Sequence, residues 1–285
     1  MFKNILIPIS SEFYSKNVLL RSAFLAEKFN SNLNLVYIIE EKTFNEIDKI
    51  VSTYRTVADK EESKRELISK QIQTADQIIF DDAKQILKDK QIPFEEKIIE
   101  GEFTDKIKEE LNKKQYDLIL MGFKKECYLN YRLFEEVKIP VWVVGQGTSK
   151  KILAVCSNLA PNQKVPDLSI KLAYHLEWEL NMLYVIDTED SVYVDKNGIR
   201  SDIKTKEDLL SQGQNFVNEM RQKGINAELV QGSLEKQTLI KAEAIKANLV
   251  IVGREQKKKG ILGLPVKNLK KKIVEKCKYS ILFLN

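Results

Sequence analysis

Histidine, cysteine and long apolar runs are scarce in this 285-residue sequence. Its three cysteines lie far apart and form neither a metal-ligand pair nor a redox motif, which argues against a disulfide framework and favours a reducing cytosol. No apolar run reaches the roughly 18 residues that a membrane-spanning helix needs, and residues 1–4 lead into the first apolar run without the anatomy of a signal peptide. We therefore expect a cytoplasmic protein with no membrane span and no metal site.

Catalytic constellations are also lacking. The single histidine, His175, falls on a predicted helix and not at a strand end, which favours a structural role. No Ser/His/Asp or Cys/His arrangement can be assembled, and Cys156 lies within a predicted strand as a small core residue. No catalytic residue is predicted.

Positive charge is concentrated in one segment of the chain, although the net charge is only +5. Residues 254–278 contain ten basic and two acidic side chains, so their net charge is +8. Such a segment is either an anion-binding site or a solvated helix face, and charge runs are more often the latter. A nucleic-acid surface is less favoured, because no aromatic residue interrupts the basic ones to stack on bases.

Four short apolar blocks occur twice, in the same order. The pairs are residues 3–10 and 150–157, 34–40 and 181–187, 117–122 and 248–253, and 139–144 and 279–284. This repetition predicts a duplicated domain. A Gly/Ser/Thr-rich segment at residues 145–149 marks the linker, which divides the chain into domains of residues 1–147 and 148–285.

Apolar and polar residues do not alternate strictly in these blocks. This pattern is typical of strands that are buried on both faces of a parallel sheet. In the first repeat we predict strands near 3–9, 33–39, 94–100, 117–122 and 140–145, and helices near 14–30, 60–91, 103–115 and 129–137. In the second repeat we predict strands near 151–156, 181–187, 226–231, 248–253 and 279–284, and helices near 165–179, 204–223, 234–246 and 265–277. The alternation predicts two repeated, doubly wound α/β domains with parallel sheets. The helix near 60–91 is longer than one sheet needs, so it either extends beyond that sheet or is broken.

The strand blocks resemble those of a known family. Residues 5–9 (ILIPI), 35–39 (LVYII), 118–122 (LILMG) and 139–144 (IPVWVV) are similar to the first, second, fourth and last strands of the universal stress proteins. The resemblance covers nearly the whole chain, as two tandem copies. It implies a flavodoxin-like nucleotide-binding fold, a role in the stress response and dimerisation through the last strand. That strand is expected to pair either between the two copies, as an intramolecular pseudo-dimer, or between two chains, as a homodimer.

The nucleotide-binding pattern of that family is altered here. ATP-binding members have an aspartate just after the first strand and a glycine loop after the fourth, whereas Ser10 and Ser157 occupy the aspartate positions. The first repeat retains only Gly122 of the loop. The distance along the chain from Gly122 to the last strand is 18 residues, whereas the equivalent distance in the second repeat is 27 residues. The first repeat therefore has a shortened nucleotide loop, and the second repeat a degenerate, basic one.

The resemblance accordingly implies ATP or AMP in the second repeat only. Ser157 and Val185 are expected near the base and ribose. Gly232 is expected to approach the nucleotide, although a turn requirement alone accounts for this glycine. Main-chain N–H groups and positive charge would hold the phosphates after the fourth strand. The candidates there are Gly253, Arg254, Lys259, Gly260, Gly263 and Asn268.

Two kinds of function follow from these residues. The first is a stress-related regulatory protein that binds a nucleotide and is not an enzyme, with slow ATP hydrolysis left open because phosphoryl transfer depends mainly on positioning and charge. The alternative is an interaction scaffold, without nucleotide, for a protein partner or an anionic surface. The absence of both aspartates and of one phosphate loop favours the scaffold.

Overall fold

The chain divides into two compact units, Met1–Ile139 and Pro140–Asn285. Their structure is a computed structural model that describes residues 1–10, 15–40, 57–122, 132–160, 163–187, 193–194, 200–201, 205–253 and 269–284. The division into residues 1–147 and 148–285 stays a prediction, because the compact units separate a few residues earlier in the chain.

The first unit is a parallel α/β sheet with helices between its strands. Its strands are β1 (Asn4–Ile9), β2 (Asn32–Ile39), β3 (Phe94–Glu100) and β4 (Leu118–Met121), and its helices are α1 (Lys16–Phe29), α2 (Val57–Thr74), α3 (Asp81–Lys88), α4 (Phe103–Lys113) and α5 (Arg132–Glu136). The strand order is β4–β1–β2–β3. β1 is buried from Ile5 to Ile9 because it lies between β2 and β4.

The long helical segment of this unit changes its hydrogen-bonding pattern partway along. A π-helical segment, Ala75–Phe80, separates α2 from α3. Among the side chains that the structure describes in this segment, the buried ones begin at Ile79 and include Ala83 and Leu87. The helical segment is therefore continuous, and only its hydrogen-bonding pattern changes at the π-helical segment.

The second unit repeats the same winding. Its strands are β5 (Val141–Val143), β6 (Lys151–Ser157), β7 (Glu179–Ile186), β8 (Tyr193–Val194), β9 (Arg200–Ser201), β10 (Asn226–Gln231), β11 (Leu249–Val252) and β12 (Ser280–Phe283), and its helices are α6 (Lys164–Leu176), α7 (Lys206–Gln222), α8 (Leu234–Ile245) and α9 (Leu269–Lys276). The main sheet has the order β10–β7–β6–β11–β12–β5, while β8 and β9 form a small antiparallel pair that the sequence did not predict. The predicted doubly wound α/β fold is confirmed.

The last strand of the first repeat, β5, belongs to the sheet of the second unit. It pairs antiparallel with β12, so that Trp142 lies opposite Leu282. Trp142 is fully buried, with 0% of its surface exposed. The predicted pairing of the two last strands therefore occurs here between strands of one chain.

The residues after β5 run close to the backbone of the second unit. The N–H of Gly145 donates to Oγ of Ser280 (3.1 Å), and that of Gln146 donates to the carbonyl of Lys278 (2.8 Å). A Cβ atom on Gly145 would lie 2.3 Å from the carbonyl carbon of Tyr279, and one on Gly147 would lie 2.6 Å from Cα of Asn248. These glycines are therefore required by close backbone approach and not only by the flexibility of a linker.

We expect Gly145→Ala to destabilise the second unit, because the new Cβ can be accommodated only if the backbone shifts. The free energy of unfolding should fall by about 1–3 kcal/mol. Both tryptophans, Trp142 and Trp178, lie in the second unit, so denaturant unfolding followed by tryptophan fluorescence reports on this unit. The exposed neighbour Thr148 provides the control: Thr148→Ala should stay within about 0.5 kcal/mol of the parent protein. Equal stability of the two variants would contradict the packing argument.

Candidate functional site

The carboxyl ends of β7, β6 and β11 form the candidate site of the second unit. β6 and β11 are neighbours in the sheet although they are far apart in the chain, so the winding reverses between them. In open α/β sheets the ligand crevice lies outside the strand ends at this point of reversal. Ser157 lies directly opposite Val185 on the neighbouring strand, and Gly253 immediately follows β11.

Ser157 and Val185 are both buried at this edge, Val185 completely. Oγ of Ser157 accepts a hydrogen bond from the N–H of Leu159 (3.2 Å), so the hydroxyl stabilises the turn that leaves β6. The adjacent Cys156 is buried, and burial raises the pKa of its thiol. This cysteine therefore behaves as a small core residue, as the sequence indicates.

Asn158 and Asp187 form a buried polar relay that joins β6, β7 and α8. The N–H of Asp187 donates to Oδ1 of Asn158 (2.7 Å), and the N–H of Leu234, the first residue of α8, donates to Oδ2 of Asp187 (3.0 Å). Asn158 is 0% exposed and Asp187 is 7% exposed. The relay satisfies two buried backbone N–H groups and holds the ends of the three elements together.

Gly232 follows β10, beside Asp187. Its φ of +136° is a conformation that side chains with a Cβ rarely adopt, and its N–H donates to the carbonyl of Ile186 (3.0 Å). Gly101 of the first unit repeats this arrangement, with a φ of +142° and a 3.0 Å hydrogen bond to Ile39. The turn requirement therefore accounts for both glycines, whether or not a ligand is bound.

Gly253 packs against the first turn of α6. A Cβ atom at this position would lie 3.1 Å from Cγ2 of Val165, so the wall of the crevice is close and apolar here. The remaining predicted phosphate-site residues lie outside the described residues: Arg254, Lys259, Gly260, Gly263 and Asn268. The structure thus brings together Ser157, Val185, Gly232 and Gly253 at one edge of the sheet.

The basic segment continues into α9, where the structure describes its later part. Ile273 and Val274 are buried, as expected for the packed side of this helix. Nζ of Lys276 donates to Glu235 of α8 (2.5 Å), and Nζ of Lys278 donates to Glu243 (2.8 Å). Part of the positive charge therefore pairs with carboxylates of α8.

The equivalent edge of the first unit has a different set of polar groups. Ser10 is buried at the end of β1, and Glu40 follows β2 at the repeat position of Asp187. The cap of α4 is Glu102, whose own carboxylate accepts from the N–H of Asp105 (2.8 Å). Gly122 is described, but residues 123–131 lie outside the described part of the chain.

His175 lies on α6, where its Nδ1 is 2.8 Å from the carbonyl oxygen of Lys171. It is exposed and packs edge-on against Tyr174. Within the part of the chain that the structure describes, no group of three or more His, Cys, Asp or Glu residues could hold a metal ion.

Asn158 and Asp187 were not among the predicted site residues. The sequence does contain a signal for Asp187, since an acidic residue follows the second strand in both repeats, as Glu40 and Asp187. Asn158 has no such signal, because its role depends on a partner 29 residues away.

The sheet and its strand-end crevice define an α/β protein of the doubly wound, flavodoxin-like class. A model of the universal stress protein family matches residues 1–144, which is just over half of the chain. The chain belongs to the universal stress protein family, which confirms the resemblance seen in its strand blocks. No curated protein sequence matches it.

Solved structures resemble the chain over nearly its full length. A universal stress protein from Archaeoglobus fulgidus is 13% identical with a TM-score of 0.64, covering 99% of this chain and 96% of that chain. A functionally unknown protein from Pseudomonas aeruginosa is 13% identical with a TM-score of 0.65, covering 99% of this chain and 92% of that chain. At this identity the likeness shows the fold alone. None of the helices in the described ranges has the length and apolar character required to span a membrane.

The polar relay predicts a stability effect that is separate from ligand binding. Asn158→Ala leaves the buried N–H of Asp187 without its acceptor, so the free energy of unfolding of the second unit should fall by about 1–3 kcal/mol. Denaturant unfolding followed by tryptophan fluorescence measures this change. Asn218→Ala, which removes an exposed asparagine of α7, should change stability by less than about 0.5 kcal/mol. If both variants unfold like the parent protein, the relay does not stabilise this edge.

Proposed function

We propose that this chain is a stress-related regulatory protein whose second repeat binds an adenine nucleotide, ATP or AMP. The observation that carries the proposal is the alignment of Ser157, Val185 and Gly253 at the carboxyl ends of three neighbouring strands, where the winding of the sheet reverses. Ligands of doubly wound α/β sheets bind at this position.

Different strands of this edge carry different kinds of chemical group. The ends of β6 and β7 are rich in polar side chains, namely Ser157, Asn158 and Asp187, which suits the polar base and ribose of a nucleoside. Gly253 and the basic residues that follow it lie after β11, where main-chain N–H groups and positive charge suit phosphates. We therefore assign the nucleoside to the β7–β6 side and the phosphates to the β11 side.

The first repeat is assigned no nucleotide. Its stretch between the fourth and last strands is shorter, and in place of the relay aspartate it has Glu40. The two repeats therefore differ in nucleotide binding, and we expect one nucleotide for each chain.

Binding without turnover accords with the groups described at the site. The hydroxyl of Ser157 is engaged by the N–H of Leu159, and burial raises the pKa of the Cys156 thiol, so neither is an activated nucleophile. His175 lies on the exposed side of α6, in contact with Lys171 and Tyr174. We therefore expect regulation through the bound state of the protein.

The scaffold alternative receives less support from the described residues. Lys276 and Lys278 pair with Glu235 and Glu243, which reduces the charge that α9 and its end could present to an anionic surface. If the protein binds no nucleotide, the interaction scaffold becomes the preferred function.

Titration calorimetry and thermal unfolding with ATP and AMP test the proposal. We expect one binding site for each chain, an upward shift of the unfolding temperature and no phosphate release from ATP above the background rate. Gly253→Ala should weaken binding about ten-fold or more, because its Cβ would lie 3.1 Å from Val165 and would shift the backbone to which we assign the phosphates. Gly122→Ala, the matching change in the first repeat, should leave the affinity unchanged.

Tryptophan fluorescence of Gly253→Ala should first show that the second unit remains folded. Absence of both heat and thermal shift at millimolar nucleotide would contradict the proposal. Equal loss of affinity in the two glycine variants would contradict the assignment to the second repeat, and phosphate release that depends on the protein would contradict binding without turnover.

A further inference from the structure

In each repeat an ion pair joins the helix after the third strand to the helix before the last strand, and its polarity differs between the repeats. In the first unit, Nζ of Lys108 on α4 lies 2.7 Å from Oε2 of Glu136 on α5. In the second unit, Nζ of Lys276 on α9 lies 2.5 Å from Oε1 of Glu235 on α8. The helix before the last strand therefore supplies the carboxylate in the first repeat and the cation in the second.

Glu136 and Lys276 occupy the same position in the two repeats. Each is the last residue of its helix and stands three residues before the repeated last block, 139–144 or 279–284. In both helices two adjacent apolar residues are buried, and these are Leu133 and Phe134 in α5 and Ile273 and Val274 in α9. The two helices thus pack with the same side, while the charge at their last residue is reversed.

An ion pair between the third strand and the following helix shows the same reversal. In the first unit Lys97 of β3 pairs with Glu110 of α4 (2.8 Å), and in the second unit Glu228 of β10 pairs with Lys241 of α8. These partners are 13 residues apart in the chain, so either polarity gives the same local pair. The partners at α5 and α9 are 28 and 41 residues apart, so there the sign of the charge can decide which segment docks.

The two last segments of the repeats lead to the same pair of strands. α5 leads into β5, α9 leads into β12, and these strands pair antiparallel. Proteins built from similar repeats are prone to exchange equivalent segments, both within a chain and between two copies. The segment that competes with α5 for its place on the first unit is therefore α9 of a second copy.

We infer that the reversed polarity of these two ion pairs keeps each last helix on its own repeat and so prevents exchange between two copies of this chain. With α9 of a second copy in the place of α5, Lys276 would face Lys108. With α5 in the place of α9, Glu136 would face Glu235, which is only 7% exposed. Like charges at such distances are destabilising, most of all beside a buried carboxylate. The pairs therefore reject the wrong segment as well as hold the right one.

Reversal of one pair tests the inference on the full chain. Lys108→Glu together with Glu136→Lys keeps an ion pair in the first unit but gives it the polarity of the second. Each protein is refolded from denaturant over a range of concentrations, and size-exclusion chromatography measures the fraction of dimer that persists after dilution. We expect this fraction to exceed that of the parent protein about three-fold or more, and to rise with the concentration during refolding.

Two further double variants separate selection from stability. Lys108→Gln with Glu136→Gln removes the pair and should give a dimer fraction between those of the parent protein and the reversed variant. Lys106→Glu with Glu109→Lys reverses a pair that lies within α4 (3.0 Å), so this control should refold like the parent protein. Circular dichroism shows whether each variant regains the helix content of the parent protein.

The order of the variants decides between selection and simple stabilisation. If the pair only stabilises the first unit, the reversed variant refolds like the parent protein and the glutamine variant is impaired most, which overturns the inference. Equal dimer fractions in all four proteins overturn it as well. If the reversed variant does not regain its helix content, the glutamine variant decides, and a dimer fraction no higher than that of the parent protein overturns the inference.

Discussion

Parallel hydrogen bonding of β6 between β7 and β11 is the constraint on which the second unit depends. A buried strand must pair its N–H and carbonyl groups on both sides, so its neighbours have to start and stop in register with it. Ser157 is therefore aligned with Val185, and Val252 with Val155. The same alignment collects the ends of the strands at one edge, where the chain leaves the sheet and polar groups become available.

At that edge two buried side chains stabilise the backbone on which the proposed site depends. Asn158 and Asp187 satisfy backbone N–H groups that would otherwise be buried without partners, and Asp187 also caps α8. One buried polar residue thus links the end of a strand to the start of a helix. At the end of β11, a Cβ atom on Gly253 would lie 3.1 Å from Cγ2 of Val165, so a larger residue there would press against α6. The first unit has Glu40 and a self-capped α4 instead, so the two repeats differ in the polar groups at their strand ends.

Much of the architecture could be predicted because it is encoded locally. Continuous apolar blocks indicated strands buried on both faces, and their repetition indicated two similar domains. Ser157 and Gly253 could be placed at strand ends, since every parallel strand of such a sheet ends at the same edge. The pairing of Lys276 with Glu235 could not be predicted, because the partner is 41 residues away and any exposed carboxylate would satisfy the pattern equally well.

The sequence by itself determined the repeat, the strand blocks, the unequal loops after the fourth strands and the segment that carries the excess positive charge. These features depend on residue identity and on spacing along the chain. Only the tertiary structure decided that β5 pairs with β12, that the glycines after β5 lie against backbone, and that Asp187 caps α8. Each of these depends on which surfaces meet when distant segments pack, and a pattern of neighbouring residues does not specify that choice.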